Sequence, residues 1–173
     1  MDLPQDEPTF TVVKERTYIQ AAMERLIQDS ESHVWLLLGR WGIMHLVKTG
    51  ALAAINEAGQ RGVSVRVLAT LDERTLKFYH ELDGSIEVRH CDSFSLQGCI
   101  VDDEVAVQTL SLGSNPVGRG RDEAALVIEA PELVSAQAEL VAACWGNAAS
   151  FAAARTRLEE GQIVEPLKVT LGG

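Results

Sequence analysis

The chain has 173 residues, 46% hydrophobic and 23% charged, with a formal net charge of −10. That length suits one ordinary domain, and no apolar run approaches the ~18 residues needed to span a bilayer. The surplus of carboxylates works against a phosphate-binding surface, since nucleic-acid affinity comes largely from Lys and Arg displacing counterions; direct contact with nucleic acid or membrane is not expected.

Residues 1–10 read as a disordered lead-in. Met1 to Pro8 carries three acidic groups and no basic one, opposite to the n-region of a secretory signal. An amphipathic helix is predicted from Thr17 to Asp29, with Ile19, Met23 and Ile27 beside a stripe of Tyr18, Ala22 and Leu26. Val34-Trp35-Leu36-Leu37-Leu38 is a continuous apolar run, as in a strand covered on both faces. A second helix from Ile43 to Ala58 leads through Arg61-Gly62 to a β-branched strand, Val63 to Ala69, which makes a parallel β-α-β unit. A third helix, Glu73 to Leu82, and a short strand, Ile86 to Arg89, follow.

Beyond this point hairpins replace helices. Phe94 to Val101 and Val105 to Leu110 flank the turn Asp102-Asp103-Glu104. Ser111 to Asp122 is a glycine-rich loop, and Ala124 to Ile128 a strand. Pro131 opens a helix to Asn147 with Leu133, Leu140, Val141 and Cys144 facing inward. A further helix spans Ala148 to Glu160. The expected architecture is α/β: a mixed, mainly parallel sheet flanked by helices, one domain over 11–161, with 162–173 as an extended arm.

This order of elements resembles one half of the phospholipase D superfamily. Leu52 to Leu68, LAAINEAGQRGVSVRVL, is similar to that superfamily's helix, Arg-Gly-Val and buried strand. Cys99 to Val107, CIVDDEVAV, is similar to the strand and turn after its catalytic histidine. Active members carry a histidine, one residue, a lysine, four residues and an aspartate; the histidine attacks phosphorus and the lysine neutralises phosphoryl charge. With Asp102 as that aspartate, Ser95 stands at the histidine position and Gln97 at the lysine position. With Asp103, the positions fall on Leu96 and Gly98. Either register implies a chain that is not an enzyme. Degenerate copies of the fold resemble the effector-sensing domain of the archaeal TrmB family of sugar-responsive transcriptional regulators. In those proteins the old cleft binds a small molecule and a separate winged helix-turn-helix binds DNA.

Ligands in open α/β sheets gather at the carboxyl ends of strands. The candidate ligand-binding residues are therefore Arg40 and Trp41, a cation beside an aromatic platform; Ser95 and Gln97; and Arg119 and Arg121, which alternate with glycines. Solvated or carboxylate-paired arginines are the plainer reading of the last pair. His90 and Cys91 suggest a metal or thiol role, but no zinc spacing is present, and Cys99 suits a buried strand residue. No cofactor is expected. The three irregularly spaced cysteines point to no disulfide framework and to a cytoplasmic setting.

The resemblance implies a non-catalytic small-molecule-sensing or regulatory domain. Its ligand would be a sugar, nucleotide or anionic metabolite; it would pair as a homodimer and rely on a separate DNA-binding subunit, its own module being absent. The alternatives are a divergent phosphodiesterase or nuclease using Ser95 or His90, and a structural partner subunit.

Overall fold

A computed structural model describes residues 7–92, 95–111 and 118–161. Eight strands form one sheet in the order β1-β7-β6-β5-β2-β3-β4-β8. They are β1 (Thr9–Lys14), β2 (His33–Leu38), β3 (Ser64–Ala69), β4 (Glu87–His90), β5 (Gly98–Val101), β6 (Val105–Ser111), β7 (Ala124–Glu129) and β8 (Ala149–Ser150). The helices are α1 (Arg16–Gln28), α2 (Gly42–Val47), α3 (Ala51–Gln60), α4 (Pro131–Gly146) and α5 (Phe151–Glu159), with a 3₁₀ helix at Leu76–Glu81.

The mixed sheet flanked by helices is as expected, but parallel pairing is a smaller part of it. Only β2–β3 and β3–β4 are parallel among the described pairings. The β5–β6 hairpin joins the other side of β2 antiparallel, and β7 and then β1 extend it antiparallel. β1 itself was not foreseen. It takes Thr9 and Phe10 out of the expected lead-in and pairs Phe10 with Ile128. The expected arm, 162–173, lies outside the described residues.

The central strand β2 explains why its sequence is apolar throughout. Val34, Leu36 and Leu38 join a core with α1, α2, α3 and α5, while Trp35 and Leu37 join a second core under α4. The expected helix over 43–58 is two helices, broken at Lys48-Thr49-Gly50, where Thr49 Oγ1 accepts from the Ala51 amide and so starts the second. The expected helix over 73–82 narrows to the 3₁₀ segment.

On α4 the inward face differs from that expected. Val134, Ala138, Val141 and Trp145 are buried, whereas Leu133 and Leu140 are exposed and Cys144 is half-buried. Trp145 meets Trp35 edge-on with ring centroids 5.4 Å apart. The largest side chain sets the rotation of a helix whose alanine-rich pattern fixes it weakly. Among the described residues no helix is long and apolar enough to cross a membrane.

Candidate functional site

The carboxyl ends of β2, β3 and β4 lie side by side, so the turn after each strand contributes to one surface. Thr75 Oγ1 donates to the Arg40 carbonyl at 3.0 Å, which ties the turn after β2 to the turn after β3. The Arg74 guanidinium sits 4.7 Å from the Trp41 ring centroid and donates Nε and Nη2 to the two Asp72 carboxylate oxygens, each at 2.9 Å. The Arg74 hydrogen bonds hold the Asp72 carboxyl below its ordinary range, against an opposing push from burial, and the nearby Arg40 charge adds to the lowering. Arg40 is exposed and Trp41 half-buried. The cation over the Trp41 indole is Arg74, where the sequence suggested Arg40. Sequence reading missed Arg74, although the Asp72-Glu73-Arg74 spacing was available.

Ser95 is exposed and Gln97 half-buried, and both precede β5 rather than lying within it as expected. The strand is shorter because Gly98 has φ 137°, and a side chain there would collide with the Val107 carbonyl of β6. The Gln97 amide packs against Gly39, where an added Cβ would lie 2.6 Å from Nε2. Gln97 and Gly39 thus bring the segment before β5 onto the turn after β2.

Inside this point lies a cavity of about 50 Å³ lined by Arg16, Gln20, His45, Gln97, Thr109 and Glu123, among others. It suits a few water molecules and is far below the ~300 Å³ of a small-molecule site. Its wall is a buried ion pair, Arg16 Nε to Glu123 Oε2 at 2.6 Å. Arg16 also takes the Gly120 carbonyl on its amide at 3.1 Å and gives Nη1 to the Gly118 carbonyl at 2.8 Å. Gly120 has φ 61°, and a Cβ there would strike Glu123 and Arg16. Arg16 therefore clamps the glycine-rich segment over the cavity. No sequence motif marks this pairing, which joins residues 107 positions apart.

The other expected residues disperse. Arg119 and Arg121 are exposed on the clamped segment, and Arg121 Nε lies 3.9 Å from Glu15 Oε1. Glu123, the buried carboxylate next in the chain, is taken by Arg16.

His90 is 4% exposed; its Nδ1 accepts the Leu71 amide at 3.0 Å, and its Nε2 faces Asp92 Oδ1 at 2.8 Å. With Nδ1 accepting a backbone amide, the buried ring serves as a packing and hydrogen-bonding group. Cys91 is half-buried, its amide on the Ala69 carbonyl and its carbonyl on Thr70 Oγ1. Burial pushes the Cys99 thiol up to about 12. Among the described residues no group of three His, Cys, Asp or Glu side chains has the arrangement of a metal site.

Asp102 and Asp103 form the expected turn, with φ 53° and 55°. The Asp102 carboxylate accepts the amides of Glu31, Ser32 and His33 at 3.0, 2.8 and 3.0 Å and the Ser32 hydroxyl at 2.9 Å. Burial raises its pKa, but those four donors together outweigh that and leave the carboxyl below its ordinary range. The aspartate of the motif thus anchors the hairpin to the start of β2, at the end of the sheet away from Gln97.

The sequence matches no protein-family model and no curated protein. The fold has solved counterparts. The phospholipase D family member Nuc from Salmonella typhimurium superposes with a TM-score of 0.63 at 17% identity, over 84% of this chain and 99% of that one. The chain has a phospholipase-D-like fold. NucT from Helicobacter pylori gives 0.63 at 12% identity, over 84% of this chain and 100% of that one. TrmBL2, an archaeal chromatin protein that binds DNA, gives 0.61 at 18% identity, over 86% of this chain and 55% of that one. The chain spans about half the length of TrmBL2. At these identities the phospholipase-D-like likeness is one of architecture.

Proposed function

We propose that this phospholipase-D-like domain is a non-catalytic, small-molecule-sensing or regulatory domain of the TrmB type. One observation carries the reading: where active members place a nucleophilic histidine and a lysine, the chain has exposed Ser95 and a Gln97 packed against Gly39, beside the Arg16–Glu123 clamp. A serine with no base within its segment and a neutral amide supply neither nucleophile nor charge neutralisation. The ligand, a sugar, nucleotide or anionic metabolite, would engage the surface of Arg40, Trp41, Gln97 and the Arg119–Arg121 segment. The domain would act as a cytoplasmic homodimer, its output running through a DNA-binding unit outside the described fold. The net charge of −10 supports that division of labour.

A thermal-shift screen of sugars, nucleotides and anionic metabolites tests the reading. A ligand at a hundredfold excess over its Kd stabilises by about 2.7 kcal/mol, and Gln97→Ala should remove the shift. A screen with no stabilising compound would count against sensing.

A divergent phosphodiesterase is the second reading, favoured by one feature. His45 lines the Gln97 cavity with Arg16, which places an imidazole and a guanidinium together. Turnover of a phosphodiester lost in His45→Ala would support it.

A further inference from the structure

A ligand-sized space lies at the opposite end of the sheet from Gln97. Between the amino ends of β2 and β3 and helix α4 runs an open groove of about 470 Å³, within the ~300–1,000 Å³ of small-molecule sites. Its floor follows from register: His33 pairs with Ser64 and Trp35 with Arg66, and alternation turns all four toward α4. The helix wall carries Ala138 and Ala142, whose short side chains leave the space, and Ser135 and Glu139, which face into it.

The charges in this groove are set apart. The Arg66 guanidinium lies 5.5 and 5.7 Å from the ring centroids of Trp35 and Trp145, so it is held over an indole floor. Among the described residues, no carboxylate reaches Arg66 within 4.0 Å and no cation reaches Glu139. The remaining acid, Asp103, is taken by His33 Nε2 at 2.7 Å. Arg66 and Glu139 thus line the same groove as a cation and an anion, each without an ion-pair partner among the described residues.

We propose that this groove binds a small zwitterion of the α-amino-acid class. Arg66 takes the carboxylate as a fork, Glu139 takes the ammonium, and the hydroxyls of Ser64 and Ser135 provide neutral hydrogen bonds. The site is independent of the cleft at Gln97.

The test is thermal shift followed by calorimetry with the standard L-amino acids, each beside its decarboxylated amine and its des-amino acid. At least one amino acid raises the Tm of the wild-type protein, and neither matched control does. Arg66→Gln and Glu139→Gln each weaken its binding roughly 10- to 100-fold, as loss of a charged hydrogen-bond partner does. Ala142→Met, which fills the groove without touching either charge, also abolishes binding and covers the case in which a charge variant folds poorly. Gln97→Ala leaves binding unchanged. The proposal is overturned if no amino acid binds, if the des-amino acid binds as well as its parent, or if binding survives Arg66→Gln and Ala142→Met. Binding lost only in Gln97→Ala would move the ligand to the cleft and overturn the groove while supporting the sensing function.

Discussion

Replacing Asp102 separates an architectural aspartate from a catalytic one. Its carboxylate gathers four donors from the segment Glu31–His33. A hydrogen bond to a charged group contributes roughly 1.5–3 kcal/mol net, but four donors share one partly exposed acceptor, and the freed amides can return to water. Alanine at φ 53° adds roughly 1–2 kcal/mol of left-handed strain. Asp102→Ala should therefore cost about 2–4 kcal/mol, a Tm decrease of roughly 4–16 °C for a domain of this size. Asp102→Asn, which tolerates the conformation and keeps one acceptor, should lose clearly less. The charge also sets a pH signature. The folded carboxyl lies below its unfolded value, so its contribution is present above pH ~4 and disappears as the pH falls through the folded value. Urea unfolding monitored by circular dichroism at neutral pH and along the acid limb measures both, and Asp102→Asn should flatten the acid dependence. A loss under about 0.5 kcal/mol for Asp102→Ala, or an unchanged acid limb in Asp102→Asn, would refute the anchoring role.

Removing one partner of the Arg16–Glu123 pair strands a buried charge, so Arg16→Met should cost roughly 3–5 kcal/mol, and the double variant Arg16→Met/Glu123→Leu less than the single; a larger loss in the double would contradict the coupling. Cys99, with its thiol pushed up to about 12 and its side chain buried, should resist Ellman's reagent until the protein unfolds, while Cys91 and Cys144 react in the native state. His90→Ala should destabilise the fold by roughly 1–3 kcal/mol through the orphaned Leu71 amide, read as a lower Tm; an unchanged Tm would mean the histidine is not structural. Sedimentation equilibrium should give about twice the 18.8 kDa chain mass if the domain is a homodimer, and a single-chain mass would contradict pairing.

Much of the fold was legible because local chemistry and tertiary role agree. The run Val34–Leu38 is apolar at every position, and both faces of β2 are buried. Pro131 opens α4, and Asp102-Asp103 supplies the two positive-φ residues of the hairpin. Legibility failed where distant residues decide. The phase of α4 depends on where Trp145 finds Trp35. Strand β1 depends on a free edge at β7. At the site, Gln97 reaches Gly39 in the turn after β2, but Arg16 and Glu123 meet only through the fold. Arg66, one position in an ordinary strand pattern, acquires meaning only when α4 stands opposite it.

The central claim, a phospholipase-D-like fold that senses without turning over, is tested most directly by incubating the purified protein with bis(p-nitrophenyl) phosphate and following nitrophenolate release beside Ser95→Ala, His45→Ala and His90→Ala. The account predicts release no faster than in buffer for all four proteins. Release by the wild-type chain that is lost in any one of the three variants would contradict it.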